Sequence, residues 1–219
     1  MECRNETLKP YQLMGAIQMY EASGIEACKE FVMTHLTGIE GTAAGLPMQD
    51  YLAYFFALEQ TGNEEYRQKI ESAVNSKEWT VDLMPFVTAY ETKYKRKEHY
   101  NQITAMFRNK ESFTGTDLIA LIETINQMSE EIYEYYRELK DLFKVIVKEK
   151  IKNLTDSSEI LEIGYSVLKA CNIDVLQKEK YSNFGESAWQ TIAGNDNKMG
   201  NGLEDMIRAQ YTILKKQEV

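Results

Sequence analysis

The sequence predicts an all-α fold, an α/α toroid of about eleven helices arranged in consecutive hairpins. Three observations predict it. First, five segments (25–31, 64–70, 98–103, 135–139 and 179–184) repeat one local pattern at or near the start of an amphipathic helix. Aligned on Cys28, Tyr66, Tyr100, Tyr136 and Tyr181, they step by 38, 34, 36 and 45 residues, and self-similarity at such a period marks stacked supersecondary units. Second, each segment follows a more apolar helix, so each unit pairs a first helix for an inner ring with a more polar second helix for an outer one. Third, no period-2 run of β-branched residues is bounded by turns, so strand signals are absent. Unequal steps, and no small-residue pattern recurring at fixed packing positions, disfavour a tetratricopeptide-type solenoid and favour a closed or nearly closed ring.

The elements follow in order. Residues 11–22 carry Leu13, Ala16, Ile17 and Tyr20 at helical spacing and stop at Ser23-Gly24. The second helix spans 25–35. A Gly-rich connection over 36–46 leads to Pro47, a first-turn residue, and to a helix over 48–60. That helix is apolar nearly all round, as a helix buried on most sides must be. Thr61-Gly62 ends it, and 64–74 pairs with it. Helices follow over 81–94 and 97–108, 116–128 and 130–152, 157–171 and 178–192, and 203–216 closes the series without a partner. Leu52, Phe55, Phe56, Met84, Phe86, Leu118, Leu121, Ile160, Ile163 and Val167 occupy the inner apolar faces and are expected to be buried.

The chain has 219 residues, three prolines and no Pro/Ser-rich linker, so 1–219 is read as a single α/α-barrel-like domain. A hydrophobic content of 43% suits a globular protein with a real core. The formal charge of −9 argues against nucleic acid, whose phosphates require a basic surface, and against an anionic membrane. No stretch approaches the ~18 apolar residues of a membrane span. The polar start, Met1 to Glu6, is followed by no apolar region of the kind that marks a signal peptide. Cys3, Cys28 and Cys171 are odd in number and far apart, which suits reduced thiols and a cytoplasmic location.

Connections between hairpins are longer and more varied than the turns within them, and in such an array they share one face, where a site is expected. They offer Glu40, Asp50, Glu78, Asp82, Asp117, Asp156, Asp196 and Glu204 as carboxyl groups for acid–base work. The competing role for each is capping a helix start, where carboxylates complement the dipole. Trp79 is either a sugar platform or packing, and Trp189 reads as packing. His35 and His99 are the only histidines and lie far apart, so no zinc site is expected. Gly38, Gly41 and Gly45 lack the Lys-Ser/Thr of a phosphate loop. No cofactor is implied. The partner expected is a carbohydrate ligand or another protein.

Several blocks resemble a known family. Asp82-Leu83-Met84-Pro85-Phe86-Val87-Thr88-Ala89-Tyr90, followed by Glu98-His99-Tyr100-Asn101-Gln102-Ile103, is similar to the third hairpin of glycosyl hydrolase families 88 and 105. These are the unsaturated glucuronyl and rhamnogalacturonyl hydrolases, with a six-hairpin α/α barrel. Residues 58–66 resemble the preceding turn, and 156–158, 164–170, 180–181 and 188–189 a late hairpin. The resemblance, carried by order and spacing over residues 11–216, implies a shortened, six-hairpin-like toroid.

It also implies a chemistry, hydration of a sugar C4=C5 double bond by two aspartates at the mouth of the barrel. Glu78 lies nearest the first aspartate's position, with Asp82 the nearest aspartate. The second belongs to a long connection, reduced here to Ser112-Phe113-Thr114-Gly115-Thr116-Asp117-Leu118, in which only Gly115 matches. The arginine and tryptophans of that motif are missing. Candidate catalytic acids are therefore Glu78, Asp82, Asp117 and Asp156, with Trp79, Thr114 and Ser157 as candidate substrate contacts. Three readings follow: a degenerate relative serving as a carbohydrate- or protein-binding scaffold with little or no hydrolase activity; a hydrolase with relocated acids; and a helical-repeat adaptor. The lost motif favours the first.

Overall fold

A computed structural model describes residues 8–38, 45–94, 96–154, 159–194 and 201–217. These residues form eleven α-helices and no strand: α1 (Gln12–Ser23), α2 (Glu26–Gly38), α3 (Ala53–Thr61), α4 (Glu64–Ser76), α5 (Met84–Lys93), α6 (Tyr100–Arg108), α7 (Gly115–Gln127), α8 (Tyr133–Lys152), α9 (Ile160–Asn172), α10 (Lys178–Ile192) and α11 (Leu203–Gln217). The odd-numbered helices form the inner ring. In it α5 packs on α7, α7 on α9, α9 on α11, α11 on α1 and α1 on α3, and Phe55 of α3 meets Phe86 of α5, so the ring closes. The even-numbered helices lie outside, each against the inner helix that precedes it. Among the described residues no helix is long and apolar enough to cross a membrane.

The repeated segment acts as an anchor for each outer helix. Cys28, Tyr66, Tyr100 and Tyr136 are buried against the inner ring, and Tyr181 is half-buried. Compact turns join the helices of a hairpin. Gly24 ends α1 and Gly62 ends α3, both at positive φ (73° and 65°), where a side chain would clash with its own carbonyl. Their N–H groups donate to the Tyr20 and Leu58 carbonyls at 2.7 and 2.8 Å.

The inner core is aromatic: Phe86 meets Tyr51 and Phe55 edge-on at 5.4 and 5.5 Å between centroids, a favoured ring geometry. Close backbone approach tightens two joints. A Cβ at Gly164 would lie 2.1 Å from the Ala188 Cβ, and one at Gly15 2.5 Å from the Gly202 carbonyl oxygen. The second contact is at the α1–α11 joint that closes the ring.

Several element boundaries differ from the sequence reading. The helix expected over 48–60 is a 3-10 turn, Met48–Asp50, followed by α3. The break serves α1, whose N-cap residue, Tyr11, has φ 69° and makes no side-chain capping bond. Asp50 supplies the cap from 36 residues away, its Oδ1 accepting the Met14 N–H at 2.9 Å. The helix over 81–94 likewise divides into a 3-10 turn, Val81–Leu83, and α5, with Pro85 in its first turn. Helix α6 begins at Tyr100 rather than 97, because Lys97 sits at φ 45°. Leu52 and Ile160, expected in the core, are only half-buried; Leu52 faces the axial cavities described next.

Candidate functional site

All inner helices start on the connection face and end on the turn face, so the ring has two distinct mouths. On the connection face, Asp82 lies in the 3-10 turn before α5 and is half-buried. Burial pushes its carboxyl pKa up, the charge of Asp117 adds to the rise, and Lys110 opposes it. Asp117 is 8% exposed and fully engaged. Its Oδ2 accepts the Thr114 N–H at 2.7 Å and the Thr114 hydroxyl at 2.8 Å. Its own N–H donates to Thr114 Oγ1 at 3.2 Å, and Lys110 Nζ lies 3.2 Å from Oδ1. Thr114 and Asp117 thus form the capping box of α7. The Tyr11 hydroxyl belongs to the same acidic neighbourhood: burial raises its pKa first, then the charges of Asp82, Glu162 and Asp50.

The cavity between Tyr11, Asp82, Pro85, Phe86 and Met206 is about 20 Å³, room for a single water. Of the sequence-derived acids, the structure brings Asp82 and Asp117 together. Glu78 is exposed after α4 and lines neither axial cavity. Trp79 packs half-buried, its indole N–H donating to the Val74 carbonyl at 3.3 Å and its ring edge-on to His99 at 5.4 Å. Asp156 and Ser157 lie outside the described residues. Trp189 stacks on Tyr211 at 4.9 Å.

On the turn face a larger bowl of about 280 Å³ opens among the helix ends. Its floor is apolar, with Met14, Leu52, Phe55 and Phe56. Its rim carries Glu21, Glu59, Lys93, Asn126 and Gln127, and Gln18, Glu123 and Lys169 line its wall. Glu123 and Met14 also border the small cavity of the other mouth, so they sit on the axis between the two.

The wall is held by a buried polar network. Glu123, 4% exposed, accepts a hydrogen bond from the Tyr165 hydroxyl through Oε1, with Gln18 Nε2 at 3.4 Å and Lys169 Nζ at 3.8 Å from the same oxygen. Gln18 Nε2 also donates to Tyr165 Oη at 2.8 Å, and its Oε1 accepts from Gln210 Nε2 at 2.9 Å. Asn172 Nδ2 donates to Gln210 Oε1 at 2.9 Å. The bonds therefore run from α9 through α11 and α1 to α7, fixing the Glu123 carboxylate relative to four inner helices. Burial, then the charge of Glu123, raises the Tyr165 pKa well above the ordinary range, so the phenol remains a donor. At the rim, desolvation raises the Glu21 pKa; Lys169 opposes this, and Glu123 and Glu59 add to it. Lys93 pairs with Glu59 across the opening.

The sequence analysis missed this site. Its signal was Glu123 and Thr124 as the polar residues within an otherwise apolar run, 118–125, with Gln18 placed alike in α1. A larger depression, about 860 Å³, lies outside the ring between α8 and the start of α10; lysines line it and it opens broadly to solvent. No group of three or more His, Cys, Asp or Glu residues suited to a metal ion occurs among the described residues.

No family model matches the sequence, and no curated protein does. Solved structures match the fold. One, described as a family 105 glycoside hydrolase from C. acetobutylicum ATCC 824, superposes with a TM-score of 0.72 at 13% identity, covering 94% of this chain and 92% of that one. Another, described as a possible member of the GH105 family from Klebsiella pneumoniae subsp. pneumoniae MGH 78578, superposes with a TM-score of 0.70 at 14% identity, covering 94% of this chain and 81% of that one. The chain has a GH88/105-like α/α toroid fold.

Proposed function

We propose that this protein is a carbohydrate-binding scaffold built on the glycosidase toroid, with little or no hydrolase activity. One contrast carries the reading: the axial cavity beside Asp82 has room for about one water, whereas the bowl on the turn face measures about 280 Å³. Hydrating a sugar double bond needs a proton donor and a water-activating base on either side of a seated ring. Misplacement by ~1 Å costs about a hundredfold in rate. Asp117 is occupied as the cap of α7 and the partner of Lys110, and the cavity beside Asp82 is too small for a sugar ring. The bowl instead combines aromatic and aliphatic floor, side-chain amides and carboxylates, a lining suited to a polyhydroxylated ligand. Closure of the ring through α11 and α1 counts against an open, adaptor-type array.

An unsaturated uronyl disaccharide tests the proposal. Loss of the absorbance of its conjugated double bond should stay at the buffer rate. A second reading, hydrolysis with relocated acids, draws on Asp82, a partly buried acid whose pKa is raised by burial and by the neighbouring charge of Asp117. Turnover abolished by Asp82→Asn or Asp117→Asn would establish that reading and overturn the first.

A further inference from the structure

We infer that the turn-face bowl is a saccharide site selective for a neutral or amine-bearing sugar unit over a carboxylated one. The inference rests on the carbohydrate-binding reading and adds the ligand class. Size sets the first limit. At about 280 Å³ the bowl lies just below the ~300–1,000 Å³ range of small-molecule pockets, which suits one sugar ring rather than an extended chain. Half-buried Leu52, with the 7%-exposed edges of Phe55 and Phe56, offers the apolar contact for a ring face.

Charge sets the second limit. Three carboxylates, Glu21, Glu59 and Glu123, face two ammonium groups, Lys93 and Lys169. Each ammonium is already engaged: Lys93 with Glu59, and Lys169 with Glu123 at 3.8 Å. A carboxylated sugar would have to draw Lys169 from Glu123 while approaching Glu21, whose charge is already disfavoured by partial burial and by Glu123. An ammonium on the sugar meets the opposite balance, because its charge relieves the repulsion between Glu21 and Glu123. The amides of Asn126 and Gln127 at the rim can donate to and accept from hydroxyls without charge preference. The network of Tyr165, Gln18 and Gln210 fixes Glu123 before any ligand arrives, so little ordering is needed on binding.

Isothermal titration at pH 6.5 with a β-1,4 glucosamine disaccharide, cellobiose and digalacturonate tests the assignment. The glucosamine disaccharide should bind at least about tenfold more tightly than digalacturonate. Glu21→Gln, a rim substitution whose folding is checked by circular dichroism, should remove most of that preference. Digalacturonate binding as tightly as the amino sugar, or a preference unchanged by Glu21→Gln, overturns the ligand class while leaving carbohydrate binding intact. If none of the three binds, the carbohydrate-binding reading itself falls and the inference falls with it.

Discussion

Replacing Asp50 with asparagine should flatten the pH dependence of stability. Asp50 is fully buried, and its Oδ2 has no hydrogen-bond partner, so the charged form loses its hydration with little in return at that atom. The Met14 N–H on Oδ1 and the nearby amides of Leu13, Tyr11 and Gln12 favour the charged form. Burial wins, and the carboxyl pKa rises from 3.8 to about 7. Between these values the folded state holds a proton that the unfolded state has lost. The stability this group contributes is therefore fully present below pH ~4 and lost as pH rises through ~7, amounting to on the order of 4 kcal/mol. Between about pH 5.5 and pH 8 the loss is roughly 2 kcal/mol. Urea unfolding of both proteins at those two pH values, followed by circular dichroism, measures it. Asp50→Asn should reduce the difference in unfolding free energy between the two pH values by about that 2 kcal/mol, whatever its absolute stability. An unchanged difference would refute the assignment of this titration to the distant cap of α1.

Two further substitutions test the packing of the toroid. Phe86 is 1% exposed and holds two aromatic neighbours, so Phe86→Ala should lower unfolding free energy by about 3–5 kcal/mol. A loss below about 1 kcal/mol in the same urea assay would mean the inner ring is misassigned. Gly164→Ala should destabilise by about 1–3 kcal/mol, because its Cβ would meet that of Ala188 at 2.1 Å and force α9 and α10 apart; a neutral result would show that the pair separates at no cost.

The fold was legible because its information is periodic. Cys28, Tyr66, Tyr100 and Tyr136 recur at the hairpin spacing, and the structure buries all four where outer helices meet inner ones. What the period does not encode is a bond between remote elements. Asp50 reads locally as an ordinary acid in a first turn, and only the folded chain shows it capping α1. The site was less legible for a related reason. Connections were expected to carry function, yet Thr114 and Asp117 use their polar atoms on each other at the start of α7. The bowl is built from helix ends, by Gln18, Glu123, Tyr165 and Lys169 on three inner helices. Each is unremarkable alone, and their convergence depends on the curvature of the ring rather than on any spacing along the chain.

Among the described residues, six inner helices and five outer ones leave a consequence for how the chain could be re-cut. Because α1 and α11 are neighbours, the first and last helices meet side by side, but the end of α11 and the start of α1 lie on opposite faces. The gap equals one helix: 15 residues in α11, or about 22 Å at the α-helical rise. A flexible tether would have to cross that height over the flank of the ring. An added amphipathic helix of similar length, seated where the sixth outer helix would stand, would make the same journey as the five that already return the chain. A circularly permuted protein with such a helix as its joint, opened at the Gly62 turn, would be a toroid with a different starting hairpin.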